Sequence, residues 1–250
     1  MSELVSPALS DRPALSQTER IVDTLVAPSK TFTDILRNGS WWAPFVLICI
    51  LALVSSAVVG NKIGWDAVTQ QQIMKSPRAA EQMAQLKPED RASRLRLSAK
   101  VSQYVSYSVP VLILLISALC VVVLWMSINF GLGAQTSFNQ IFAVWMYAGL
   151  PKLFITLLNI VFVLAGIGTE SYDIKNPVGT NLGYYLSDAP AWLQGLGSWL
   201  DIFNLWGLYL LVLGVSVVAK KTKGQAAAVV VGWWVVCLLV AVGWTAAFGG

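Results

Sequence analysis

Lys152 and Asp201 are the two ionisable side chains set against long apolar runs, so they are the first candidates for chemistry. A charge in hydrocarbon is expensive, which makes each such residue a functional hypothesis by default. Lys152 follows Pro151 in "YAGLPKLFITLLNIVF", a run that also carries Asn159. Asp201 opens "DIFNLWGLYLLVLG", with Asn204 about one turn on. Pro151, Lys152, Asn159, Asp201 and Asn204 therefore form a candidate polar groove between two apolar helices. Each also has a plainer role. Pro151 suits the first turn of a helix, Lys152 can snorkel to an interface, and Asp201 is a natural N-cap. By depth, Lys152 reaches Asp201 only if the helices tilt strongly.

Enzymatic chemistry finds little else to use. The chain lacks histidine, which excludes Ser-His-Asp and Cys-His nucleophiles, histidine zinc ligands and histidine proton switches. The three cysteines, Cys49, Cys120 and Cys237, all lie in apolar runs and match neither a zinc nor a disulfide spacing. An intramembrane aspartyl protease needs two embedded aspartates, and phosphatidyl transfer needs an acidic metal cluster; neither pattern is present. No catalytic residue, metal site or cofactor is expected, and the protein reads as a non-enzyme.

The elements that hold these residues follow from composition. Of 250 residues, 56% are hydrophobic and 12% charged, against about 25% charged in a soluble domain. Part of the surface must therefore face lipid. The net charge of +4 is spread over connectors rather than gathered on one face, which argues against nucleic acid. Five apolar stretches, at about 41–60, 108–130, 141–166, 202–219 and 226–248, are each long enough to cross a hydrocarbon core that needs roughly 20 helical residues. For the third, the preferred geometry lays "SFNQIFAVWMYAGL" shallow and starts the span proper at Pro151. The expected fold is an all-α membrane protein with five transmembrane helices.

Residues 1–40 form a polar tail, loose around Pro7, Asp11 and Pro13, with short amphipathic helices at its end. Ser16 and Glu19 make a capping box ahead of Ile21, Val22, Leu25 and Val26. Pro28 ends that helix, and Ser29 caps a second one carrying Phe32, Ile35 and Leu36. These helices lie on the membrane surface or pack on the protein's own loops. Trp41 and Trp42 then sit at headgroup level as interfacial anchors, and Pro44 opens the first span. Residues 41–250 form the membrane domain, with an extramembrane helical hairpin at about 66–107 whose second arm continues into the second span. Gly224, Ala228 and Gly232 recur every four residues, a helix-packing face on the last span. Lys220, Lys221 and Lys223 place their connector in the cytoplasm, hence the N-terminus inside and Gly249-Gly250 outside. The basic 61–107 connector dissents, but its length weakens the rule.

The segment "VAPSKTFTDILRNGSWWAPFVL" resembles the opening of bacterial Yip1-domain proteins, with Phe32 two residues after Lys30 and the Trp-Trp and Pro leading into the first span. "SFNQIFAVWMYAGLPKL" and "DIFNLWGLYLLVLGVSVVAKKTKGQAAAVVVGWW" are similar to later parts of the same family. The resemblance implies five membrane helices with a cytoplasmic N-terminus, in a bacterial cytoplasmic membrane. Eukaryotic relatives bind small Rab-type GTPases, partly through an acidic-Leu-Tyr-Gly-Pro motif ahead of the first span. Here its nearest counterpart is "APSKTF", so GTPase binding does not carry over. The resulting expectation is a membrane-organising or scaffolding protein whose partners are the bilayer, another protein or a second copy. The alternative is a small transporter or lipid-handling protein using the polar groove.

Overall fold

A computed structural model describes residues 13–186 and 188–248. The tail expected around Pro7 and Asp11, and the terminal Gly249-Gly250, lie outside the described residues. The chain opens with two short helices, α1 (Gln17–Val26) and α2 (Pro28–Ile35). The capping box forms as expected: Glu19 N–H donates to Ser16 Oγ at 3.2 Å and Ser16 N–H donates to Glu19 Oε2 at 2.7 Å. Those bonds hold the Glu19 carboxyl below its ordinary range. The second cap differs from expectation. Pro28 begins α2 instead of merely ending α1, and Ala27 is the N-cap residue, so Ser29 lies inside the first turn. Proline at that position gives up an N–H that had no helical partner.

The described residues continue through nine more α-helices. After α1 and α2 come α3 (Trp42–Lys62), α4 (Trp65–Met74), α5 (Pro77–Ala84) and α6 (Pro88–Met126), which ends in a π-turn. Then follow α7 (Phe138–Ala148), α8 (Leu153–Leu164), α9 (Ala191–Trp199), α10 (Ile202–Val218) and α11 (Lys223–Phe248). Four helical segments are long and apolar enough to cross a membrane: Trp42–Lys62, Pro88–Gly131, Phe138–Leu164 and Lys223–Ala247. The stretch expected as the fourth span is α10, a shorter apolar helix of 17 residues. At 1.5 Å per residue it is about 25 Å long.

The third stretch departs from the preferred geometry. α8 has 12 residues, about 18 Å, against a hydrocarbon core of about 30 Å. It needs α7 to cross. α7 is not a shallow segment set apart: Ile141, Ala143, Val144 and Tyr147 have no exposed surface and pack in the main core. A 3-10 turn at Leu150–Lys152 joins α7 to α8, because Pro151 cannot supply the helical N–H. Pro151 thus marks a break inside an apolar segment, not the start of a span.

α3 packs on α6 and α8, α6 on α7, and α10 on α2, α7 and α11. The contact of α10 with its neighbours depends on small residues. A Cβ at Gly207 would lie 2.8 Å from the Ala148 carbonyl oxygen, and one at Gly214 would lie 2.5 Å from Val144 Cγ1 and 2.9 Å from Phe32 Cε1.

α1 and α2 fold onto this bundle. Phe32 and Ile35 are completely buried in the main core, while Val22 and Val26 face outward. The corner is held by Arg20, which is 2% exposed. Its Nε donates to Asp34 Oδ2 at 2.8 Å, and Nη1 donates to the Asn38 carbonyl at 3.0 Å. The hydroxyls of Thr24 and Thr31 both donate to the Arg20 carbonyl.

The hairpin region contains the expected arms, α5 and the N-terminal half of α6, with α4 added ahead of them. α6 has 39 residues, about 58 Å, so it exceeds any bilayer and carries the second arm directly into the span. α4 packs along α6 and reaches the connector after α8. Gln71 Nε2 donates to the carbonyls of Thr169 and Glu170 at 3.1 and 3.0 Å. Lys75 Nζ lies 3.1 Å from Asp173 Oδ2. Burial would raise the Asp173 carboxyl, but hydrogen bonds from Gln72 and the Lys175 amide, with the Lys75 ammonium, outweigh it and hold the group low. The 61–107 and 167–200 connectors are therefore on one side of the bundle.

Candidate functional site

The sequence places five residues in one groove. The structure divides them. The break at Leu150–Lys152 packs against α10, where Phe154 stacks with Phe203 at 5.4 Å and with Trp206 at 6.1 Å between ring centroids. Pro151 is buried in the neighbourhood of this stack, and Lys152 is exposed beside it. Lys152 lies in the break that packs against α10 and Asp201 opens α10, so the two charges sit on neighbouring elements. They do not form an ion pair, unlike Arg20–Asp34 and Lys75–Asp173.

Asp201 takes its plainer role. Its side chain accepts from the Phe203 and Asn204 amides at 2.8 and 3.1 Å, capping α10. Its other oxygen accepts from the Thr180 hydroxyl. The Ile202 amide donates to the Thr180 carbonyl at 3.2 Å. At 2% exposure, Asp201 is occupied in tying the 167–200 connector to the start of α10. Asn204 is half-buried and supplies its backbone amide to that cap.

Asn159 turns away from both. Its Nδ2 donates to Ser55 Oγ of α3 at 3.0 Å. Burial pushes the Tyr172 hydroxyl above its usual range. A cavity of about 220 Å³ lies here, between α3, α6 and α8, rather than between the third and fourth apolar segments. Ser55, Ser56, Ser106, Thr156, Asn159 and Tyr172 give it its polar groups. Of these, the sequence singles out Asn159. Ser55-Ser56 and Thr156 are legible as polar interruptions of apolar runs, but their convergence depends on helix packing that spacing does not encode.

The tryptophan pair is also split. Trp41 is partly buried and meets Phe142 edge-on at 4.8 Å and Phe45 at 5.8 Å. Trp42 is 56% exposed. With Asn38, Ser40 and Asn139 they border an open depression of about 410 Å³. On α11, Gly224, Ala228 and Gly232 are all exposed.

The Yip1 domain matches residues 22–245, from the middle of α1 almost to the end of α11. The chain belongs to the Yip1 family. This Yip1 domain is carried by an integral membrane protein, and the family is not known as an enzyme family. No curated protein and no solved structure matched the chain.

Proposed function

We propose that this Yip1-domain protein is a non-enzymatic membrane-organising scaffold, with its N-terminus in the cytoplasm and its C-terminus outside. The supporting observation is the free face of α11. α9 and α10 pack on this helix, yet a Cβ at Gly232 would meet nothing within 4 Å, and one at Gly224 would meet just Thr222 Oγ1 at 4.0 Å. Small residues spaced by four let a helix approach closely, and no helix among the described residues takes the place. A partner's transmembrane helix or a second copy fits that face, while the bilayer covers the remainder.

The transporter reading has less support, since Asp201 is spent as a cap and Asn159 faces a different cavity. The cytoplasmic N-terminus is favoured because both large connectors share one side, opposite the Lys220–Lys223 turn in chain order. The test is crosslinking in native membranes. An Ala228→Cys variant freed of the native cysteines should give an adduct of higher mass, and Gly232→Leu should remove it. A chain that stays monomeric and uncrosslinked, or solute flux in vesicles abolished by Lys152→Gln, would overturn the reading.

A further inference from the structure

The cavity between α3, α6 and α8 has a donor and acceptor set that the scaffold reading leaves unused. Asn159 is 5% exposed. Its Nδ2 bonds to Ser55, while its Oδ1 is buried without any partner. Buried amide oxygens in native interiors are almost always paired, so such a group calls for an explanation. Thr156, three residues earlier on the same helix, also faces the cavity. The Ser56 hydroxyl is already satisfied, donating to the Ser106 carbonyl at 3.2 Å. Trp65 and Tyr172 give the cavity aromatic rings. Among the described residues, no Lys, Arg, Asp or Glu lines it.

We infer that this cavity binds a neutral hydroxyl-bearing group, the headgroup of an uncharged glycerolipid. A hydroxyl both donates and accepts, so it satisfies the free end of the Asn159 amide and the Thr156 hydroxyl together. Phosphate, carboxylate and ammonium groups find no counter-charge here and would be buried at high cost. The size agrees. About 220 Å³ exceeds the roughly 30 Å³ share of a single water, yet falls below the roughly 300–1,000 Å³ of sites that enclose a whole drug-sized ligand. A headgroup fits and its acyl chains do not. Ala52, Val109 and Ile155 line the part of the cavity nearer the centres of their apolar segments, which suits chains that leave toward hydrocarbon. A free polyol shares the hydroxyl chemistry but makes no use of that apolar side.

The experiment uses the full chain in detergent and native mass spectrometry, with dioleoylglycerol, dioleoylphosphatidylglycerol, dioleoylphosphatidylcholine and free glycerol as separate probes. Dioleoylglycerol should be retained in a one-to-one complex and the two phospholipids should not. Asn159→Leu should weaken retention at least about tenfold, as expected where a buried polar group recognises a hydroxyl. Thr156→Val, which keeps shape and removes the hydroxyl, should weaken it several-fold and covers the case in which Asn159→Leu does not fold. Trp42→Ala should leave it unchanged. Equal retention of the phospholipids, retention of glycerol alone, or binding insensitive to both cavity variants would each overturn the assignment. The site is separate from α11, so loss of the Ala228 crosslink and loss of lipid retention fail independently.

Discussion

Asp34→Ala should release the N-terminal helices from the bundle while leaving the membrane segments folded. Arg20 and Asp34 are 2% and 5% exposed, and their pair has contacts of 2.7 and 2.8 Å to one carboxylate oxygen. Hydrogen bonds to charged groups contribute about 1.5–3 kcal/mol each, and removing one partner of a buried pair costs about 3–5 kcal/mol because the other charge is left stranded. At about 1.36 kcal/mol per decade, that raises the population of undocked α1–α2 by roughly two to more than three powers of ten. The undocking is readable at Thr24, which has no exposed surface. In a variant lacking the native cysteines, Thr24→Cys should react slowly with a thiol reagent, and adding Asp34→Ala should accelerate it by about that factor. A second variant separates charge stranding from packing. Arg20→Met with Asp34→Leu removes both charges and should restore much of the protection, as apolar replacement of buried pairs often does. Unchanged reactivity in Asp34→Ala, or a double variant as reactive as the single one, would refute the reasoning.

Three further outcomes follow from contacts elsewhere. Gly207→Ala drives a methyl toward the Ala148 carbonyl at 2.8 Å and should lower stability by about 1–3 kcal/mol in thermal unfolding, whereas Gly232→Ala, which meets nothing, should not lower it. Asp201→Ala should cost about 0.5–2 kcal/mol from the lost cap and loosen residues 176–186 in hydrogen exchange, with no such loosening at α4. Asp173 titrates low in the folded protein, so its contribution is complete above the ordinary carboxylate pKa and is lost as pH falls through the lower folded value. Protection of the α4 backbone in hydrogen exchange should therefore drop on acidification below about pH 4, and Asp173→Asn should remove that pH dependence.

The one-dimensional features are well marked in the sequence. Ser16 and Glu19 specify a helix start through local hydrogen bonds, and Pro77 and Pro88 specify two others through a fixed φ; all three appear where spacing predicts them. The union of the α6 arm with the second span is legible because neither Gly nor Pro interrupts residues 89–109. What stays hidden depends on three-dimensional docking. Hydropathy treats α2 as an amphipathic helix and cannot say whether Phe32 meets lipid or Gly214. It favours Pro151 as the beginning of a span, and the buried face of α7 decides for the break. Asn159 is assigned to the wrong neighbour for the same reason: its position on α8 is readable, but whether α3 or α10 stands opposite is not.

Several polar residues of the apolar segments join one element to another. Trp145 Nε1 donates to Ser117 at 3.0 Å, Trp233 Nε1 donates to Ser127 at 2.9 Å, and Asn129 exchanges bonds with Thr136 at 2.8 and 3.0 Å. Asp201 caps a helix and holds a loop. In each case a polar side chain joins two elements, and its bonding capacity is used by the fold. Hydrogen bonds of this kind contribute modestly to membrane helix association, but they fix which faces meet, and a wrong register would strand every one of them. Asn159 joins α8 to α3 by the same rule and still keeps an oxygen without a partner, in a residue that lines an uncharged cavity. A residue needed just to join two helices could be a serine or threonine, as at Ser117 and Ser127. An amide placed there supplies a second polar end, and that surplus is the ground for looking to the cavity, rather than to Lys152 and Asp201, for what this protein binds.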